Sequence, residues 1–513
     1  MPNWLKNAVF YEIYPQSFCD SNGDGIGDIP GITSKLDYIK DLGFNALWLN
    51  PCFLSPFMDA GYDVADYKTV APRYGTNEDL YKLFDEAHKR GIHVILDLVP
   101  GHTSDEHPWF LQSKQPQQNQ YSCRYVWSNC VWNRPQGHTW VAGMCDRDGC
   151  YMLNFFNSQP ALNYGFNNVT DPTWQIHYTD PRVTATFDAM LDVMRFWLDR
   201  GCDGFRVDMA DSLVKNDEEK IATSSLWRRA RKMLDESYPQ AALVSEWCNA
   251  PRAINMAGFH CDFLLHHYKN LTYCAFRDKD EAGQNKSYFC KTAHVSAREM
   301  LARYLAELDE TWGTGYMSPI SGNHDTERIS YTLDQSELRL AYTFLLTLPG
   351  VPFFYYGDEI GMRYLPQPSK EGGYHRTGSR TPMQWDDSKI NLGFSDAPKE
   401  KLYLDVDRAK DAPTVSAQLR DEHSLLNWVK TLNALRQATP DLQADGKLEV
   451  VACDDNGVLC YKRGQNTYVA FNPTDKTLNL PAKVGNVLLE VGSHKTSGNA
   501  TKLAPQTAII FKQ

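Results

Sequence analysis

The sequence predicts a (β/α)8 barrel with an irregular domain inserted after its third strand and an antiparallel β-sandwich at its C-terminal end. Three observations carry this. Helical periods alternate with short, almost wholly apolar runs, the pattern of parallel strands covered on both faces. Eight such runs fall within about the first 430 residues. The remaining chain shows the alternating pattern, broken by Gly and Asn, of an all-β unit.

The first strand is the aromatic run 9–14, which ends at Pro15. Ile32, Leu36, Ile39 and Leu42 then mark one face of a helix stopped at Gly43, and 46–49 is the second strand. Asn77 is placed to cap a helix that buries Leu80, Leu83, Phe84 and Ala87, and 93–98 is the third strand. Phe187, Met190, Leu191, Met194 and Trp197 share a face of a helix ending at Gly201, followed by the fourth strand at 204–208. The runs 242–247, 262–265, 316–320 and 351–356 complete the set, with amphipathic stretches at 293–308 and 336–348 and a last helix near 419–435. These readings give the barrel residues 1–102 and 181–435, the inserted domain 103–180, and the all-β domain 436–513. The insertion is rich in Gln, Asn, Trp, Tyr and Cys, without a helical period, and leaves from the end of the third strand. That is the face on which such barrels build active sites.

Of the 513 residues, 22% are charged and 42% hydrophobic, as in an ordinary globular protein. A net charge of -11 repels nucleic acid and anionic membranes, so a neutral small molecule is the expected partner. No run approaches the ~20 apolar residues of a membrane span, and the N-terminus lacks the basic start and apolar core of a signal peptide. The expectation is a cytoplasmic protein, monomeric or homodimeric. Thirteen cysteines without zinc-like spacing fit a reducing compartment; local disulfides among Cys123, Cys130, Cys145 and Cys150 are the alternative.

Just after the first strand, Asp20, Asn22, Asp24 and Asp28 alternate with glycines. These side chains, with the Ile26 carbonyl, can wrap a hard cation, structural Ca2+ or Mg2+. Gly31 stands where an EF-hand needs a bidentate Glu, so that motif is rejected; a solvated acidic turn is the alternative. No organic cofactor is indicated.

Acidic residues recur at strand ends: Asp97 on the third, Asp208 on the fourth, Glu246 on the fifth and Asp325 after the seventh. In a barrel these ends converge on one mouth. Cleaving an acetal needs one neutral carboxyl to protonate the leaving oxygen and one ionised carboxylate to meet the oxocarbenium-like centre. Crowded like charges raise one pKa and so supply the acid.

The motifs Asp97-Leu-Val-Pro-Gly101-His102, Gly204-Phe-Arg206-Val-Asp208, Val244-Ser-Glu246-Trp and Gly322-Asn-His324-Asp325 resemble, in order and spacing, those of glycoside hydrolase family 13, the α-amylase family. Gln159-Pro-Ala161-Leu-Asn163 resembles a further family motif in the insertion. The resemblance implies that Asp208 is the nucleophile, Glu246 the acid and then the base, and Asp325 the group gripping two sugar hydroxyls. Arg206 would hold Asp208 ionised, His102 and His324 would donate to sugar hydroxyls, and Tyr62 would stack under the ring. A nucleophile and acid about 5 to 5.5 Å apart would make the enzyme retaining.

Gly101 stands where the family usually has Asn, and no Lys-His pair follows Asp208. The cation loop and the segment around Arg380 are similar to the oligo-1,6-glucosidase and related exo-acting subgroup, in which an Arg of this segment pairs with an Asp three residues before the stacking Tyr, here Asp59. The resemblance implies an α-glucosidase acting on short α-linked gluco-oligosaccharides. A transglycosidase or isomerase of the trehalose synthase type and an endo-acting amylase are the alternatives on the same site; a non-catalytic binding subunit is the alternative from another class.

Overall fold

A computed structural model describes residues 1–265, 270–498 and 500–513. The barrel strands are β1 (Phe10–Ile13), β2 (Ala46–Leu49), β3 (His93–Leu98), β4 (Gly204–Val207), β5 (Ala242–Ser245), β6 (Cys261–Leu264), β7 (Tyr316–Pro319) and β8 (Phe353–Tyr355). They form one parallel sheet in the order β7-β6-β5-β4-β3-β2-β1-β8. A parallel bridge between Ile320 and Phe353, with the amide of Ser321 donating to the Phe353 carbonyl at 3.0 Å, joins the two ends into a barrel.

Side-chain parity decides what fills it. Phe10, Ala46, Trp48, Ile95, Ala242, Val244, Cys261, Phe263 and Phe353 belong to one buried apolar cluster, the inward-facing set. Their strand neighbours Tyr11, Leu47, Leu49, Val94, Leu96, Phe205, Val207 and Leu243 belong to another, shared with the surrounding helices. Counting in twos from the inward set brings the charged residues Glu12, Asp97 and Arg206 to the interior near the strand ends. β4 can lie close to β5 because Gly204 has φ +142° and no side chain; a Cβ there would sit 2.1 Å from the Ala242 carbonyl oxygen.

The helix between β2 and β3, Asn77–Lys89, begins one residue earlier than the sequence suggested. Thr76 is its cap, in a reciprocal capping box with Asp79, while Asn77 accepts from the Val70 amide. The helix before β4 starts at Pro181, capped by Asp180, so its polar first turn precedes the apolar face. The last helix of the barrel is Leu425–Ala438.

The chain between β3 and Pro181 is not wholly irregular. It carries the short helix Pro108–Ser113, a two-stranded ribbon pairing Trp140–Val141 with Tyr151–Met152, and a small core of Val126, Met152, Ala161 and Phe166. Bridges from His102 to Ala161 and from Phe166 to Lys215 tie it to the ends of β3 and the loop after β4.

At the C-terminal end, β9 (Leu448–Cys453), β10 (Leu459–Arg463), β11 (Thr467–Asn472), β12 (Leu478–Leu480), β13 (Asn486–Val491), β14 (His494–Ser497), β15 (Ala500–Leu503) and β16 (Thr507–Lys512) form two antiparallel sheets. The larger has the order β9-β10-β11-β16-β13 and the smaller β12-β15-β14. Cys460, Ala470, Ile509 and Phe511 of the first pack against Leu480 and Leu503 of the second. The alternate residues Leu459, Tyr461, Val469, Phe471 and Ile510 join the helix-side core of the barrel. No disulfide joins the cysteines of the described residues, and among those residues no helix is long and apolar enough to cross a membrane.

Candidate active site

The strand ends converge on Arg206. It is 0% exposed, and its guanidinium is shared by three carboxylates: Nη1 donates to Asp97 Oδ1 at 2.8 Å and to Asp208 Oδ1 at 3.0 Å, and Nη2 lies 2.7 Å from Glu246 Oε2. The register explains this, since Arg206 is the Cα partner of Asp97 on β3 and of Val244 on β5. A planar, permanently charged fork suits several carboxylates as a Lys would not. The Met209 amide donates to Glu246 Oε2 at 3.0 Å, so the turn after Asp208 also positions the second acid. Asp97 is held from behind by Trp48 Nε1 at 3.1 Å and the Tyr62 hydroxyl at 3.0 Å.

Burial pushes Asp208 and Glu246 both up to about 7, the Arg206 charge opposing it and neighbouring carboxylates adding to it, Asp97 at Asp208 and Asp208 at Glu246. Three acids around one cation titrate as a unit. A carboxyl raised toward neutrality in such a group is what general-acid cleavage of an acetal uses.

Asp325 occupies the opposite electrostatic setting. Its Oδ1 accepts from Arg376 Nη1 at 2.8 Å and Arg380 Nη2 at 2.9 Å, and its Oδ2 lies 3.3 Å from His324 Nε2. Burial alone would raise its pKa, but the His324 imidazolium and the two guanidiniums hold it well below the usual carboxylate range. His324 is itself pushed up to about 9: burial works against its charge, and Asp325 and Glu12 outweigh burial. Glu12 Oε1 is 2.8 Å from His324 Nδ1 and also accepts from Asn50 Nδ2 at 3.1 Å.

A cavity of about 400 Å3 is lined by Asp59, Tyr62, His102, Phe155, Asp208, Met209, Glu246, Asp325 and Arg376. The three expected catalytic acids thus share one pocket with Asp59, Tyr62 and His102. Tyr62 is stacked on the His324 ring at 5.2 Å between centroids. His324 has no exposed surface, its two nitrogens facing Glu12 and Asp325, so it lies behind the pocket wall. His102 is held by Tyr62 and Asn154, and burial pushes it down to about 4, leaving it neutral.

The expected pairing of Arg380 with Asp59 is corrected by the structure. Asp59 faces Arg376, at 3.6 Å, while Arg380 donates to Asp325 and to the His324 carbonyl at 2.8 Å. Arg376 lies one turn earlier on the 3-10 segment Tyr374–Ser379, whose geometry swings it over the pocket. Gln159 Nε2 donates to the other Asp59 oxygen at 2.8 Å, and burial pushes Asp59 up to about 7. Arg376 and Glu12 escaped the sequence reading; a carboxylate in the otherwise apolar run 9–14 was the available signal for Glu12.

The acidic loop 20–28 is compact. Asp20 accepts amides from Asn22, Gly23 and Gly25, Asp24 accepts from Ile26, and Asp28 caps the helix Ile29–Ser34. Among the described residues no group of three or more His, Cys, Asp or Glu side chains is gathered to hold a metal. The oxygen-only donor set of Asp20, Asn22, Asp24, Asp28 and the Ile26 carbonyl nonetheless has the chemistry a hard cation takes.

Fold and pocket together define a barrel enzyme with a paired-carboxylate site for glycosyl chemistry. The chain belongs to the α-amylase family: the model for the α-amylase catalytic domain matches residues 12–445. It is 34% identical over 503 residues to the trehalose synthase/amylase TreS of Mycolicibacterium smegmatis, covering 90% of this chain and 80% of that one. It is 29% identical to the oligo-1,6-glucosidase of Heyndrickxia coagulans, covering 100% and 99%. Among solved structures, a mutant isomaltulose synthase from Erwinia rhapontici NX5 in complex with D-glucose superposes with a TM-score of 0.82 at 25% identity, covering 100% of this chain and 99% of that one. The chain is thus a glycoside hydrolase or transglycosidase.

Proposed function

We propose that the protein is a retaining, exo-acting enzyme that removes glucosyl units from the non-reducing end of short α-linked gluco-oligosaccharides and passes them to water. The observation that carries this is the charged cluster of Asp59, Arg376 and Asp325 along one side of the pocket. A chain running past the cleavage point in that direction would have to displace those ion pairs, which disfavours endo attack. The composition of the wall also fits sugar hydroxyls, which pair well with charged donors and acceptors.

In the proposed reaction Asp208 attacks the anomeric carbon while Glu246 gives its proton to the departing glycosidic oxygen. Water then loses a proton to Glu246 and attacks the same carbon, releasing the Asp208 carboxylate. Two inversions retain the configuration. Asp325, kept ionised by His324, Arg376 and Arg380, would accept hydroxyl hydrogen bonds from the sugar in the −1 subsite. Asp20, Asn22, Asp24, Ile26 and Asp28 would hold a structural Ca2+ or Mg2+, bracing the loop after β1, and location in the cytoplasm completes the reading.

A second reading is intramolecular isomerisation, in which the released sugar stays bound and another of its hydroxyls replaces water. The relatives named trehalose synthase, at 32 to 34% identity, favour it. A product time course from maltose, maltotriose and isomaltotriose separates the two. Early glucose with the shortened sugar supports hydrolysis. A new disaccharide of unchanged mass with little glucose supports isomerisation, and loss of iodine staining of starch without early glucose would sink the exo reading.

A further inference from the structure

His102 lines the pocket, but what fixes its ring lies outside it. Asn154, from the inserted segment, donates through Nδ2 to His102 Nδ1 at 3.1 Å, and the same NH2 lies 3.9 Å from the Met209 sulfur. With Nδ1 accepting, the neutral ring carries its proton on Nε2, the atom 3.2 Å from the Tyr62 carbonyl oxygen. An amide could equally present its oxygen to Nδ1 and reverse this. Lys215 prevents that: its Nζ donates to Asn154 Oδ1 at 3.3 Å and to the Ser212 carbonyl at 2.6 Å.

The neighbours make room for this arrangement and hold it. A side chain at position 101 would meet Asn154 Nδ2 at 2.6 Å, so only Gly101 leaves space for the amide beside His102. The backbone of Lys215 is paired with the inserted segment, its amide donating to the Gly165 carbonyl at 3.0 Å and its carbonyl accepting from Asn167 at 2.9 Å. The charged groups around Lys215 are Lys220 and Asp211; burial pushes its ammonium down to about 8, and its Nζ can donate to Asn154 whether or not it is charged.

We propose that Asn154 and Lys215 are positioning residues for the pocket: the Lys215 ammonium sets the orientation of the Asn154 amide, and that amide fixes His102 in the neutral tautomer protonated at Nε2. Neither residue touches the reacting atoms. The inserted segment thereby contributes to the pocket through the protonation pattern of a barrel histidine as well as through its own side chains. This rests on the glycosidase reading only for its effect on rate, because the tautomer can be read without substrate.

The test uses full-length protein labelled with 15N-histidine, the His102 signal being assigned by its loss in His102→Gln. In the parent, Nδ1 should resonate as an unprotonated nitrogen and Nε2 as a protonated one, unchanged down to about pH 5. Asn154→Asp is nearly isosteric and keeps the contact with Lys215, so it should fold; it puts an oxygen against Nδ1 and should move the proton there. The same variant should lower kcat/KM roughly tenfold to a hundredfold, in the range of other supporting-residue losses. Lys215→Met should give a mixed His102 signal and Lys215→Arg should restore the parent spectrum. A parent-like His102 spectrum in Asn154→Asp overturns the proposal, and so does a moved proton with unchanged kcat/KM. A protein inactive on every glucoside, with the predicted spectra, would instead remove the functional reading and leave the tautomer assignment standing.

Discussion

The two sides of the pocket hold carboxylates in similar depth but opposite charge company. Asp208 and Glu246, with Asp97 behind them, share the single guanidinium of Arg206. Asp325 faces three cations, His324, Arg376 and Arg380, although His324 also meets Glu12 and Arg376 also meets Asp59. Burial raises every one of these acids, so the ratio of cations to acids decides the outcome: the first pair is pushed up to about 7 and Asp325 is held well below its ordinary value. One side is thereby built to exchange a proton and the other to keep a fixed negative charge.

The most drastic way to break this contrast is to remove Asp208 or Glu246. Asp208→Asn should reduce turnover on the order of 10⁵-fold, as loss of a covalent nucleophile does elsewhere; initial rates on maltotriose would show it, and a variant within tenfold of the parent would remove Asp208 from that role. Glu246→Gln should be read with an activated aryl glucoside, whose leaving group needs no proton. In the parent on maltotriose, whose leaving oxygen does need a proton, kcat/KM should fall as pH rises above about 7, where Glu246 loses its proton; on the aryl glucoside Glu246→Gln should show no such alkaline limb.

On the other side, Arg376→Met takes one of three cations from Asp325 and frees Asp59. We expect kcat/KM to drop roughly tenfold to a hundredfold, mostly through KM, by loss of geometry that positions the sugar. A variant with unchanged KM would show that Arg380 and His324 suffice. His324→Asn tests the buried imidazolium by stability. Its folded pKa, about 9, exceeds the ordinary value of about 6.5, so its charge contributes stability fully below the latter and loses it as pH rises through the former. The Tm difference between parent and variant should be largest near pH 6 and shrink toward pH 10; a difference that grows with pH contradicts the sign. The smallest effect belongs to the proposed cation. Dialysis against a chelator should lower Tm by a few degrees, and added Ca2+ should restore it, because a ligand that binds only the folded state stabilises it.

The barrel was legible because parallel strands buried on both faces need largely apolar runs, and the eight announced themselves that way, the run at 262–265 the most weakly. The acids at the strand ends were legible for the converse reason: Asp97, Asp208 and Glu246 interrupt or end such runs, and their spacing matches a known family. What stayed hidden lies where neither period nor apolarity constrains the chain. Arg376 and Arg380 are four residues apart on an aperiodic segment, and only the turn Tyr374–Ser379 decides which of them reaches Asp59. Asn154 sits in an insertion without period, and its partners come from two other loops. The shift of the helix cap from Asn77 to Thr76 has a smaller cause: both side chains can cap, and the capping box with Asp79 selects one.

Asp208 and Glu246 stand at the C-terminal ends of β4 and β5, whose register fixes their positions, whereas the wall of Asp59, Gln159 and Arg376 is assembled from three connecting segments. Heritable change is therefore cheap in one place and ruinous in the other. Insertions or substitutions in the connecting segments can redraw which glucosides enter, and which acceptor meets the intermediate, while descendants keep the same bond-breaking apparatus. A family in which hydrolases and isomerases sit at comparable sequence distance is what that division of labour would leave behind.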